Sequence, residues 1–132
     1  MIIGVGMDLI ELERIADALD HGGERFVSRF CTDDERRRAQ GLGDTRYFST
    51  LFVVKEAVLK ALGIGVTRWV GWHDIEVMIT PAATGIELRR GARRRLAKLG
   101  GYKIRCSTNA SKGYAQAIVI IEQAPQLNDL QP

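Results

Sequence analysis

The chain has 132 residues, 45% hydrophobic and 27% charged, with a formal net charge of +3. That length and balance suit one globular domain that buries a core without staples. The mild basicity fits an acidic partner or a phosphorylated ligand, and the absence of basic clusters interleaved with aromatics speaks against a nucleic-acid binder.

Ile2 to Met7 is a short apolar run, read as a first strand, with Asp8 where it gives way to a helical pattern. From Glu11 to Leu19, Leu12, Ile15, Ala16 and Leu19 recur at helical spacing, and His21-Gly22-Gly23 stops that helix. Glu24 to Phe30 reads as a second, short helix. Thr32-Asp33-Asp34-Glu35 has the form of a capping box. The helix it opens, through Arg36, Arg37 and Arg38, reads as solvent-facing and ends at Gly41-Leu42-Gly43-Asp44. Arg46 to Leu62 is expected as the longest helix, lying deep in the fold on a broad apolar stripe and closed by Gly63-Ile64-Gly65. Strands follow at His73 to Thr80 and Ile86 to Leu88, joined by a turn at Pro81 to Gly85. A basic helix spans Gly91 to Leu99, with strands at Lys103 to Ser107 and Tyr114 to Glu122. Residues 1–122 make one domain of α+β class, and 123–132 a polar, frayed tail.

Cys31, Cys106, His21 and His73 lack metal-ligand spacing, which argues against zinc. The cysteines are read as free thiols of a reducing compartment, with one bridge the alternative. No apolar run approaches membrane-spanning length, and Met1 to Met7 lacks the basic leader of a signal peptide. A cytoplasmic protein is expected.

Two segments carry the candidate chemistry. Glu56 and Lys60 are four apart on one helix face, where an i,i+4 salt bridge is the plain reading. Their flanks Phe52, Val53, Val54, Ala57, Val58 and Ala61 are apolar, and charges in such a setting are used or paired. Lys55, Glu56 and Lys60 therefore point to a cleft. Asp8 alone is a helix cap or dipole partner. Joined by a second carboxylate it could hold Mg2+, with neighbouring lysines holding phosphate. Gly4-Val5-Gly6 is not a dinucleotide fingerprint, because Leu9 stands where a third glycine belongs. The basic run Arg89, Arg90, Arg93, Arg94, Arg95 and Lys98 reads as a solvated face. Trp69 and Trp72 read as packing residues.

Taken together, Gly4-x-Gly6-x-Asp8 with Arg14-Ile15, Lys55-Glu56-Ala57 with Lys60-Ala61, Asp74-Ile75-Glu76-Val77 and Tyr114-Ala115-Gln116-Ala117 resemble the holo-acyl-carrier-protein synthase family of 4′-phosphopantetheinyl transferases, in order and spacing from Ile2 to Glu122. The resemblance implies a compact α+β fold, a homotrimer with sites between subunits, and transfer of phosphopantetheine from coenzyme A to a serine of an apo acyl carrier protein. It implies that Asp8 and Glu56 hold Mg2+ against the pyrophosphate, and that Lys60 stabilises its developing charge. Glu56 or a metal-bound water takes the serine proton. Lys55, Lys60, Gly63 and Gly65 meet coenzyme A, and Arg14 and Arg25 meet the acidic carrier. The chain departs from the family pattern at Ala110, where a histidine is usual, and at Leu51, where an arginine is usual. The glycine-lysine-proline between the middle strands reads Thr84-Gly85-Ile86, and Ser111 stands at the position after Ala110. These departures leave a second function open: a repurposed scaffold that binds coenzyme A or a carrier without transfer, or that acts on the carrier-bound chain.

Overall fold

A computed structural model describes residues 1–41, 43–66 and 69–130. Leu42 of the expected helix break, and Gln131 and Pro132 of the expected tail, lie outside the described residues. The order is β1 (Ile2–Glu11), α1 (Leu12–Phe30), α2 (Asp33–Arg38), α3 (Thr45–Ala61), a 3₁₀ turn (Trp72–Asp74), β2 (Ile75–Ile79), β3 (Thr84–Leu88), α4 (Arg90–Lys98), β4 (Gly101–Ala110), β5 (Tyr114–Gln123) and a 3₁₀ turn (Leu127–Leu130). This is the α+β arrangement expected. The two helices expected before Cys31 merge into α1, broken only by a kink at Gly23, whose φ of 51° is open to glycine.

Strands β1, β5 and β4 form an antiparallel sheet in that order, and β2 and β3 form a separate antiparallel hairpin. Alternation gives the larger sheet two unlike faces. Ala115, Ala117, Val119 and Ile121 of β5 are buried beneath α3, in one core with Leu51, Val54, Val58 and Leu62. Val5, Met7, Leu9, Tyr114 and Ile118 point the other way and stand exposed.

Gly4 and Gly6 explain how α3 lies so close to β1. A Cβ at Gly6 would stand 1.9 Å from the carbonyl oxygen of Ala57, and one at Gly4 2.4 Å from that of Ala61. Only glycine admits such an approach. At its far end α3 stops in a Schellman motif: Ile64 N–H donates to Leu59 O and Gly63 N–H to Lys60 O, both at 3.0 Å, with Gly63 at φ 70°.

Two expectations need correction. Helix α2 is not wholly solvent-facing: its capping box forms, with Thr32 N–H donating to Glu35 Oε1 at 2.8 Å and Glu35 N–H to Thr32 Oγ1 at 3.2 Å, but Glu35 is fully buried. Lys55 is not a cleft lysine. It is 0% exposed, and its ammonium donates to Glu35 Oε1 at 2.7 Å, Phe30 O at 2.6 Å and Trp72 O at 3.1 Å, using all three of its protons. Glu35 Oε2 accepts from Val77 N–H at 2.8 Å. One buried ion pair thus ties α3 to the end of α1, to α2, to the Trp72 turn and to β2.

Cys31 and Cys106 are free thiols. Burial pushes Cys31 up to about 12 and Cys106 up to about 11, so both stay protonated and unreactive near neutrality. Trp72 stacks on Phe52 with ring centroids 5.6 Å apart, the packing role expected of it.

Lys55→Met leaves Glu35 buried without its cation. Breaking a buried pair from one side costs about 3–5 kcal/mol, so the thermal midpoint should fall by about 10 °C or more. Calorimetry checks this; an unchanged midpoint would show that the pair is not a structural tie.

Candidate active site

Asp8 sits in the middle of β1, opposite Ala117 of β5, rather than at the mouth of a helix. Strand alternation places it on the same face as Gly4 and Gly6, the face against which α3 lies. The glycine-permitted contact with Ala57 and Ala61 therefore sets Asp8 beside the turn of α3 that carries Glu56 and Lys60. Lys60 Nζ donates to Asp8 Oδ1 at 3.0 Å and to Met7 O at 2.9 Å. The i,i+4 bridge to Glu56 suggested by the spacing gives way to this longer-range pair.

Glu56 is half-buried. Burial raises its pKa above the ordinary carboxylate range, the charge of Asp8 raises it further, and Lys60 opposes both. Two carboxylates that repel each other, with one lysine between them in charge balance, are what a divalent cation would relieve. Among the described residues no three or more His, Cys, Asp or Glu side chains converge on a common point. A pair suits Mg2+, which keeps several waters and completes its shell with substrate phosphates.

Asp8 and Lys60 open on a groove beside β1 and β5. Met7, Asp8, Leu9, Lys60, Gln116, Ala117 and Ile118 line this groove of about 380 Å³. A second hollow of about 260 Å³, lined by Leu9, Asn109, Ser111, Tyr114 and Gln116, adjoins it through Leu9 and Gln116. Anionic and apolar groups thus share one trough along β1 and β5.

The other expected site residues, and the two departures from the family pattern, are spread over the fold. Gly63 caps α3, while Gly65 has open space around it. Arg14 and Arg25 are exposed on α1, and neither pairs with an acid among the described residues. Leu51, at the usual arginine position, is wholly in the core. Ala110 ends β4, and its carbonyl accepts from Arg46 Nη2 at 2.6 Å. Arg46 was missed in the sequence, because nothing local links the first turn of α3 to a strand end 64 positions away. Glu35 was missed as well: the capping box accounted for it without a lysine partner.

The family model for the 4′-phosphopantetheinyl transferase superfamily matches residues 4–119. The chain belongs to this superfamily. It is 36% identical to the holo-[acyl-carrier-protein] synthase of Koribacter versatilis over 92% of this chain and 99% of that protein. Its fold is similar to the crystal structure of a holo-(acyl-carrier-protein) synthase from Bacillus anthracis in complex with CoA (3′,5′-ADP), with TM-score 0.75, 30% identity and coverage of 94% and 99% of the two chains. The synthase from Neisseria meningitidis shares the fold at TM-score 0.83 and 24% identity, covering 93% of this chain and all of that one. The phosphopantetheinyl transferase match spans β1 to β5, the elements that bring Asp8, Glu56 and Lys60 together. No helix is long and apolar enough to cross a membrane among the described residues.

The raised pKa of Glu56 has a measurable sign. The folded state holds its proton more tightly than the unfolded chain does, so that contribution to stability is complete below the ordinary carboxylate range and is lost as pH rises through the raised value. Glu56→Gln removes this loss. At pH 8 the metal-free variant should melt no lower than the parent, and melting curves from pH 4 to 8 should rise less steeply toward acid. A variant that melts lower at pH 8 would mean the charge stabilises the fold.

Proposed function

We propose that this chain transfers the 4′-phosphopantetheine arm of coenzyme A to a serine hydroxyl of an apo acyl carrier protein. The observation that carries the reading is Asp8 on a groove, bonded to Lys60 and close enough to Glu56 to raise its pKa, in a chain of the transferase superfamily. The serine oxygen attacks the phosphorus that bears the pantetheine arm. A new phosphorus–oxygen bond forms, the bond within the pyrophosphate breaks, and adenosine 3′,5′-bisphosphate leaves. Glu56, whose raised pKa suits a proton acceptor, takes the serine proton. Lys60 places its ammonium against the departing phosphate, an electrostatic role. Asp8 and Glu56 would hold Mg2+, which when bound neutralises charge on the pyrophosphate. Gly65, with open space around it, would let a nucleotide approach the backbone. Lys55 has no part in binding, since its charge is spent in the core.

Arg14 and Arg25 are proposed to meet an acidic carrier, where exposed charges steer encounter more than they add affinity. The reading places the protein in the cytoplasm, a reducing compartment in keeping with its two free thiols.

We extend the proposal to a homotrimer. Val5, Met7, Leu9, Tyr114 and Ile118 form an exposed apolar strip along both grooves, and such a strip marks an interface more often than open surface. A neighbouring copy laid on it would cover the strip and add a wall to the groove.

Two measurements follow. Intact mass of an apo carrier incubated with the protein, coenzyme A and Mg2+ should rise by one phosphopantetheine arm, with no rise in chelator. No rise on a panel of carriers that a known transferase modifies would contradict the reading. Light scattering should give three times the chain mass, falling to one chain in Leu9→Asp; a monomeric parent would contradict the shared site.

A further inference from the structure

We propose that the Lys60 ammonium is an internal counter-cation, seated on the oxygens a divalent ion would take and displaced when that ion binds. The inference rests on the metal site proposed above and goes beyond it. Lys60 Nζ lies 3.0 Å from a carboxylate oxygen of Asp8 and 2.9 Å from the carbonyl oxygen of Met7. Those are two hard oxygens of the kind that ligate Mg2+ or Mn2+. The same residue opposes the mutual repulsion of Asp8 and Glu56. Without it, the repulsion between the two carboxylates would be unbalanced.

The position also gives Lys60 two successive uses. Its side chain is half exposed and lines the groove together with Asp8. While it is bonded to Asp8, its charge is committed to the protein. A divalent ion on Asp8 repels the ammonium and removes its acceptor, and the flexible four-carbon stem lets it turn into the groove. There it is free for an anionic oxygen. Metal loading and anion binding are thereby coupled through one side chain, and the coupling is reciprocal. Lys60 is on this account a competitor of the metal before it is a partner of the phosphate.

The test is binding of Mn2+ alone to the full chain, followed by electron paramagnetic resonance, for the parent, Lys60→Met, Lys60→Arg and Asp8→Asn. The side chain is partly exposed, so the lysine variants should keep the parent's circular dichroism. Lys60→Met should bind Mn2+ tighter by about fivefold, the upper end of what an exposed ion pair contributes. Lys60→Arg should bind no tighter than the parent, because it keeps the competing charge. Asp8→Asn should bind far more weakly. Unchanged or weaker binding in Lys60→Met, with Asp8→Asn impaired, would overturn this inference and leave the metal site standing. Asp8→Asn binding as well as the parent, or no binding by the parent and Lys60→Met alike, would overturn the metal site and this inference with it.

Discussion

The approach of α3 to β1 across Gly4 and Gly6 is the constraint on which the rest depends. A helix normally rests on a sheet through side chains, which hold the two backbones about 10 Å apart. Here a methyl group at Gly6 would collide with the carbonyl of Ala57. The small residues Ala57 and Ala61 on the helix complete the contact. The consequence is chemical as well as structural. Asp8, two residues beyond Gly6 on the same face, is carried to Lys60 and into the field of Glu56. The glycines of the opening motif therefore serve a close helix–strand contact, and the acid that follows them is placed by that contact.

Adjacent residues of α3 have opposite duties. Successive side chains leave a helix about 100° apart, so Lys55 enters the core while Glu56 stays half-buried, within reach of the charges of Asp8 and Lys60. Lys55 fixes the helix against α1, α2 and β2 through a carboxylate both of whose oxygens accept hydrogen bonds. Glu56 sits where its charge is partly desolvated and opposed by Asp8. The first arrangement stabilises the fold; the second stores unfavourable electrostatics where a cation and a phosphate would release them. Stability and chemistry are thus divided between neighbours in sequence, and the Schellman turn at Gly63 ends the helix just beyond the last of them.

Elements with strong local signals were legible in the sequence: the Thr32–Glu35 capping box, the apolar stripe of α3, and the alternation of β5. The boundary of β1 was not. Asp8 interrupts its apolar run, yet the strand continues to Glu11 because each of these residues pairs with β5, and pairing of that range has no local trace. The ordered motifs identified the transferase superfamily and pointed to Asp8, Glu56 and Lys60. They did not separate Lys55 from that set, because a lysine beside a glutamate looks the same whether it faces solvent or a buried acid 20 residues away. Arg46 at Ala110 was hidden for the same reason. Charges are the least local part of a fold: their meaning depends on which distant element arrives opposite them.

The central claim is that this glycine-permitted contact assembles Asp8 and Glu56 into one cation site serving a pyrophosphate. Anomalous diffraction from crystals of the protein grown with coenzyme A and Mn2+ tests it most directly. The account predicts one Mn2+ peak shared by the Asp8 and Glu56 carboxylates and the pyrophosphate, with Lys60 turned from Asp8 to a phosphate oxygen. A pyrophosphate bound away from Asp8, or a peak that touches neither carboxylate, would contradict it.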